Sequence, residues 1–181
     1  MRRWATWAIG GALIVAAWGV ALITPPEDAF ERPFPVTVGV GERGEGRNIA
    51  ITVHEVRRAE AASAGEWSAE GNWVIIDLDA EAVISEFGTL LSLATLEVDG
   101  RTYAASERPD SLRRGSLSVG IPRSGSLAFE LPDEADPADA VLTLGLDSDP
   151  RLDSLIVVPI DLSEIDVESD AELQPSEWST R

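Results

Sequence analysis

Trp73-Val74-Ile75-Ile76-Asp77-Leu78-Asp79-Ala80-Glu81-Ala82-Val83 decides the fold of this 181-residue chain. Val74, Ile76, Leu78 and Ala80 alternate with Asp77, Asp79 and Glu81. A period of two places successive side chains on opposite faces of a pleated strand. The aliphatic set is therefore expected to face a core, and the three acids to face water.

The same period extends outward in both directions. Upstream, Val36-Thr37-Val38-Gly39-Val40 alternates, Gly41, Gly44 and Gly46 mark a turn, and Ile49, Ile51 and Val53 share one face of a second run that ends at Val56. Downstream, residues 91–98 form a run closed by Asp99-Gly100, a tight-turn signal, after which Arg101-Thr102-Tyr103-Ala104 returns as its partner. Leu127, Phe129 and Leu131 mark another strand, and residues 141–146 and 155–162 complete the set, with Pro159 predicting an edge position or a bulge. Residues 60–71, small and polar around Trp67, read as a loop. No amphipathic helix accompanies these runs. Short strands punctuated by glycine and proline predict an all-β sandwich or barrel.

The first residues have a different character. After Arg2 and Arg3, residues 4–23 carry no charge, and at about 1.5 Å per residue they are long enough for a bilayer's hydrocarbon core of roughly 30 Å. Arginines before the run and Glu27 and Asp28 after it orient such a span with residues 1–3 in the cytoplasm and the rest outside. An uncleaved signal anchor is expected. The alternative is a signal peptide cut near Gly19-Val20-Ala21, which would give a secreted protein. Residues 24–35, with four prolines, read as an extended linker, residues 36–166 as the β domain, and residues 167–181 as a disordered acidic tail.

Composition narrows the chemistry. Fourteen basic and 32 acidic side chains give a formal net charge of −18, a surface that repels nucleic acid. There is no cysteine and no lysine. Disulfides, thiol catalysis, lipid attachment through cysteine and a serine–lysine dyad are all excluded.

The order of motifs resembles the telokin-like, immunoglobulin-fold domains of bacterial envelope proteins. The resemblance rests on a first strand over residues 48–56, then Gly71-Asn72-Trp73-Val74-Ile75-Ile76-Asp77-Leu78, and the Asp99-Gly100 turn followed by Tyr103. Leu112, Gly115, Leu117, Gly120 and Gly125 then lead into Leu127-Ala128-Phe129-Glu130-Leu131-Pro132, and residues 156–162 close the domain. The chain departs from the common layout in lacking a lipid-attachment cysteine. The resemblance implies an immunoglobulin-like β-sandwich of about seven to eight strands and no enzymatic activity.

Candidate sites are few. His54, the only histidine, is expected on the outward face, and no Gly-x-Ser-x-Gly elbow accompanies it. The strand acids Asp77, Asp79, Glu81, Glu97, Glu130 and Asp161 lie in the outward phase, where a solvated carboxylate keeps ordinary acidity. Asp147, Asp149 and Asp153 space three carboxylates along one loop and are the weak Ca²⁺ candidates; Asp133, Glu134, Asp136 and Asp139 form a second acidic loop. Trp67 and the arginines Arg113 and Arg114, beside Arg108, are the candidates for contact with a partner. The expected function is a non-enzymatic, membrane-anchored, extracytoplasmic interaction or sensing module of a bacterial envelope. It would be held in the membrane through residues 4–23 and meet another envelope protein, with no cofactor and no nucleic acid. The alternative is a small-ligand or Ca²⁺-binding envelope domain.

Overall fold

The computed structural model describes residues 3–23, 31–133, 135 and 138–179. Residues 1–2, most of the expected linker (24–30) and the loop acids Glu134 and Asp136 lie outside them. The chain divides into two compact units, Met1–Arg32 and Pro33–Arg181.

The first unit contains one helix, α1 (Arg3–Ile23). Its side chains are described without a break over residues 7–20, about 21 Å of helix. Exposed apolar groups, among them Trp7, Ile9, Leu13, Ile14, Val15 and Trp18, fall on every side of it. Among the described residues no helix is long and apolar enough to cross a membrane, so the span expected over residues 4–23 is not shown.

The second unit is a sandwich of two sheets with twelve strands among the described residues. They are β1 (Phe34–Thr37), β2 (Arg43–Glu45), β3 (Ile49–Ala64), β4 (Trp67–Ala82), β5 (Leu93–Val98), β6 (Arg101–Ala104), β7 (Arg123–Leu131), β8 (Asp139–Gly145), β9 (Ser154–Asp161), β10 (Val167–Glu168), β11 (Ala171–Glu172) and β12 (Glu177–Trp178). One sheet runs β1-β9-β8-β5-β6; the other runs β10-β3-β4-β7-β12, with β2 and β11 also paired to β3. The strands expected from the sequence are β1 and β3 to β9; the additional ones, β2, β10, β11 and β12, are two or three residues each.

The alternating runs make the core. Val74, Ile76, Leu78, Ala80 and Ala82 of β4 meet Ile49, Ile51 and Val53 of β3, Leu127 and Phe129 of β7, and Leu96, Leu142, Ile156 and Val158 from the facing sheet. The Asp99-Gly100 turn joins β5 to β6 with both residues at positive φ, 51° and 72°, the geometry that favours this dipeptide in a two-residue hairpin. Pro159 pairs with Val141 of β8, while β1 pairs with β9 only from Ser154 to Val157, so the proline sits where β9 has become an edge.

Residues 60–71 are not a loop. β3 and β4 pair through to Ala64↔Trp67, and only Gly65 and Glu66 turn the chain. This arm folds back over the sheet. Trp67 and Trp73 are about 20 Å apart on a straight strand, yet their rings meet edge to face at 5.6 Å. The amide of Leu173 donates to the Ser63 carbonyl and the next amide, Gln174, to Ser126 Oγ, although Ser63 and Ser126 stand eight rows apart along the ladder. The bend falls at the register shift between Ala59 and Ala61 and at Gly71, whose φ of +152° favours glycine. A Cβ at Gly71 would also lie 3.1 Å from Trp73 Nε1. Gly71→Ala is therefore expected to cost about 1–3 kcal/mol in urea unfolding. An unchanged midpoint would show that the bend does not need glycine.

The bend creates a second apolar cluster on the outer face, in which Trp73, Ile75 and Ala128 meet Ala59, Ala62, Ala171 and Leu173. Its last two members overturn the expected disordered tail. Residues 167–172 run parallel to β3, and β12 then pairs antiparallel with β7. The expected solvation of the strand acids also fails at two positions. Asp77 is 2% exposed and Glu81 4%. Both point outward from the core as the period requires, but Asp77 lies with Arg57 and Ser126 close to the C-terminal segment, and Glu81 pairs with Arg43 of β2 at 2.5 Å.

Candidate binding surface

The base of the sandwich is the end at which the chain enters β1, and it is built from loops around Asn48. Asn48 Oδ1 accepts the amides of Ile84 and Ser85 at 2.7 and 2.9 Å, and its Nδ2 donates to the Ser85 carbonyl at 3.0 Å. The amide of Phe87 donates to Ser85 Oγ, and that of Val119 to Glu86 Oε1, both at 3.2 Å. The buried Thr89 hydroxyl lies 2.9 and 3.0 Å from the carbonyls of Glu86 and Leu117. Loops 83–92 and 115–122 are thus stitched to each other and to the start of β3. The first strand joins the same end, since Phe34 donates its amide to the Asp153 carbonyl and Arg47 its amide to Ser154 Oγ, both at 2.9 Å.

This ordered frame holds apolar side chains out of the core. Phe87 is 97% exposed, Ile84 70% and Phe34 60%, with Leu90, Val119, Ile121 and Leu152 also exposed. Apolar residues held out by a hydrogen-bonded frame can bury against another surface. They carry no group that would orient or activate a substrate. The sequence signal for this face is Ile84-Ser85-Glu86-Phe87-Gly88, where two large apolar residues fall outside any strand period.

The residues singled out from sequence lie apart from one another. Trp67 packs against Trp73, and the Arg108 guanidinium stands 5.9 Å from the Trp67 ring and 5.2 Å from that of Trp73, while also pairing with Glu130. Arg113 and Arg114 both reach Glu107, Arg114 at 3.4 Å, in a salt-bridged turn. His54 is exposed as expected, with Nε2 3.0 Å from Asp79 Oδ2. Asp147, Asp149 and Asp153 follow one another along the loop before β9, but their oxygens are engaged separately: Asp147 accepts the Asp149 amide at 3.1 Å, Asp149 meets Arg151 at 3.0 Å, and Asp153 meets Arg47 at 3.2 Å. Among the described residues no three carboxylate or histidine side chains converge as a metal site would require. Asp161, at the far end of β9, accepts both the hydroxyl and the amide of Ser163, at 2.6 and 2.9 Å, and these bonds hold its carboxyl below the usual range. Its small stabilising contribution is present above the ordinary carboxylate pKa and is lost as pH falls through the lowered one. Ser163→Ala is expected to return the Asp161 titration towards its ordinary position, read by NMR; an unmoved titration would refute the assigned cause.

No family model and no curated protein matches the chain. Two solved structures are similar to its β domain. An uncharacterised β-sandwich protein of Clostridium difficile 630 is 16% identical over 76% of this chain and all of that one, with a TM-score of 0.47. MPT63, a secreted protein of Mycobacterium tuberculosis, is 13% identical over 71% of this chain and all of that one, with a TM-score of 0.52. The second likeness shows the fold. It is an all-β, two-sheet sandwich.

Proposed function

We propose that the chain is a non-enzymatic, extracytoplasmic module of a bacterial envelope, anchored by residues 4–23 as a single uncleaved span and meeting another envelope protein. We further place its sandwich among the telokin-like, immunoglobulin-fold envelope domains. The observation that carries the reading is α1, whose described side chains present apolar groups on every side. A helix apolar all round is one that another apolar medium covers. The described run of about 21 Å falls short of a bilayer core; the reading extends it through residues 4–23, in which no residue is charged. A secreted protein among the structures of this fold is equally compatible with export, so the anchor is what requires testing.

The test is carbonate extraction of membranes followed by mass measurement. A chain that stays with the lipid and retains Met1 supports the anchor. Recovery in the soluble fraction without its first ~21 residues would establish the cleaved, secreted form instead. Photo-crosslinking from Trp67 and Arg114 positions in intact cells then tests for a protein partner.

A further inference from the structure

We infer that the base of the sandwich docks on the bilayer, with Ile84 and Phe87 entering the outer interface. The inference rests on the anchored reading above and adds to it which end of the domain meets lipid.

The first observation is where the apolar surface lies. Eleven large apolar residues of the sandwich are exposed among the described residues. Only Val40, Val141 and Val167 lie away from the base; the other eight are in or beside its loops. Singly scattered apolar residues need no explanation, but a set gathered at one end does. Phe87 and Ile84 are its most exposed members, and the bonds from Asn48 and Ser85 fix the loop that carries them.

The second observation is where the charge lies. In a chain of net charge −18, loops 83–92 and 115–122 contain one acid, Glu86, and its carboxylate accepts the Val119 amide. Of the other acids in or beside the base, Asp153 meets Arg47, Asp149 meets Arg151, Glu45 meets Arg43 and Asp147 accepts an amide within its loop, while Glu177 beside Trp178 is exposed. At the opposite end Asp99, Asp133, Glu164 and Asp166 are exposed. The two loops that carry Ile84, Phe87, Val119 and Ile121 are thus nearly free of acids, which suits contact with phosphate headgroups.

The third observation is the point of attachment. Ten residues, 24–33, connect α1 to β1 and span at most about 33 Å. Since β1 starts at the base, the chain enters the sandwich at the same end that carries the exposed apolar loops. Exposed aromatic and aliphatic side chains that reach a bilayer surface partition into the boundary between headgroups and acyl chains.

The native chain contains no cysteine, so single cysteines can report position without interference. The full chain, carrying Ser85→Cys or Glu164→Cys labelled with an environment-sensitive dye, is reconstituted into phosphatidylcholine vesicles with and without doxyl-labelled lipid. Docking predicts vesicle co-flotation, blue-shifted and lipid-quenched emission at position 85, and water-exposed emission at 164. Adding Phe87→Ser is expected to reduce the docked fraction roughly tenfold, with the near-ultraviolet dichroism unchanged because Phe87 packs on nothing. Co-flotation with equally water-exposed dyes at both positions would overturn the docking and leave the anchor intact. Failure to float would overturn the anchor, and the docking with it. A shift at 85 that needs no lipid and disappears on dilution would assign the face to a second copy of the chain instead.

Discussion

Arg57→Ala is expected to lower the unfolding free energy by about 3–5 kcal/mol. Arg57 grips Asp77 through three contacts of 2.9–3.2 Å from Nε and Nη2. The Asp77 side chain is 3% exposed and that of Arg57 17%. Ser126 Oγ also donates to Asp77, and the Gln174 amide donates to Ser126 Oγ at 2.7 Å. Arg57 Nη2 reaches the Glu172 carbonyl at 3.1 Å. Removing the guanidinium leaves a carboxylate away from water with a single hydroxyl to satisfy it, and frees the tie that Arg57 makes to the tail at Glu172. The loss comes from stranding the charge, more than from the attraction itself. The double variant Arg57→Leu with Asp77→Leu is therefore expected to recover most of the stability. Urea unfolding measures both; a single-variant loss below about 1 kcal/mol would mean that the pair behaves like one at the surface.

Ending the chain after Asp170 is expected to cost still more, about 5 kcal/mol or above, a large part of the stability of a domain this size. Leu173 is 3% exposed and Ala171 2%, and both pack on Trp73, Ile75 and Ala128. Without residues 171–179 that apolar face meets water, and the edges of β3 and β7 lose the bonds made by β11 and β12. Leu173→Ala is the milder form, with a cost of about 2–4 kcal/mol through the cavity it leaves. A truncated chain that melts within about 2 °C of the full one would show that the tail only lies on the surface. Arg57→Ala and the truncation share the Glu172 contact, so their effects should combine to less than their sum.

Where pairing and burial follow from local pattern, the sequence was readable. The alternating aliphatics of β3, β4, β7, β8 and β9 and the Asp99-Gly100 turn lie close to where their spacing puts them. The distal arm of the β3–β4 hairpin was not readable, because Ala61-Ala62-Ser63-Ala64 has neither bulk nor β-branching. It is a strand because the register carries on through it and because small residues let it close over Trp73. The phase of Asp77 and Glu81 was correct and their solvation was not, since the covering groups, Arg43 and the tail, belong to other parts of the chain. The tail offers only Ala171 and Leu173 as apolar contacts, too few to register as a period. The candidate binding surface was missed: Trp67, Arg113 and Arg114 were singled out and Phe87 was not, because its joining with Phe34, Val119 and Leu152 depends on which strands end together.

The strap formed by β10, β11 and β12 also sets the timing of assembly. Synthesis delivers the N-terminus first, and β1 cannot pair until β9 follows about 120 residues later. Even then Trp73 and Ile75 stay uncovered until residues 171–173 arrive. The domain therefore closes last from its C-terminal side. Until that moment an apolar sheet face stands open, which makes this stage the one most exposed to proteases and to pairing with the wrong chain.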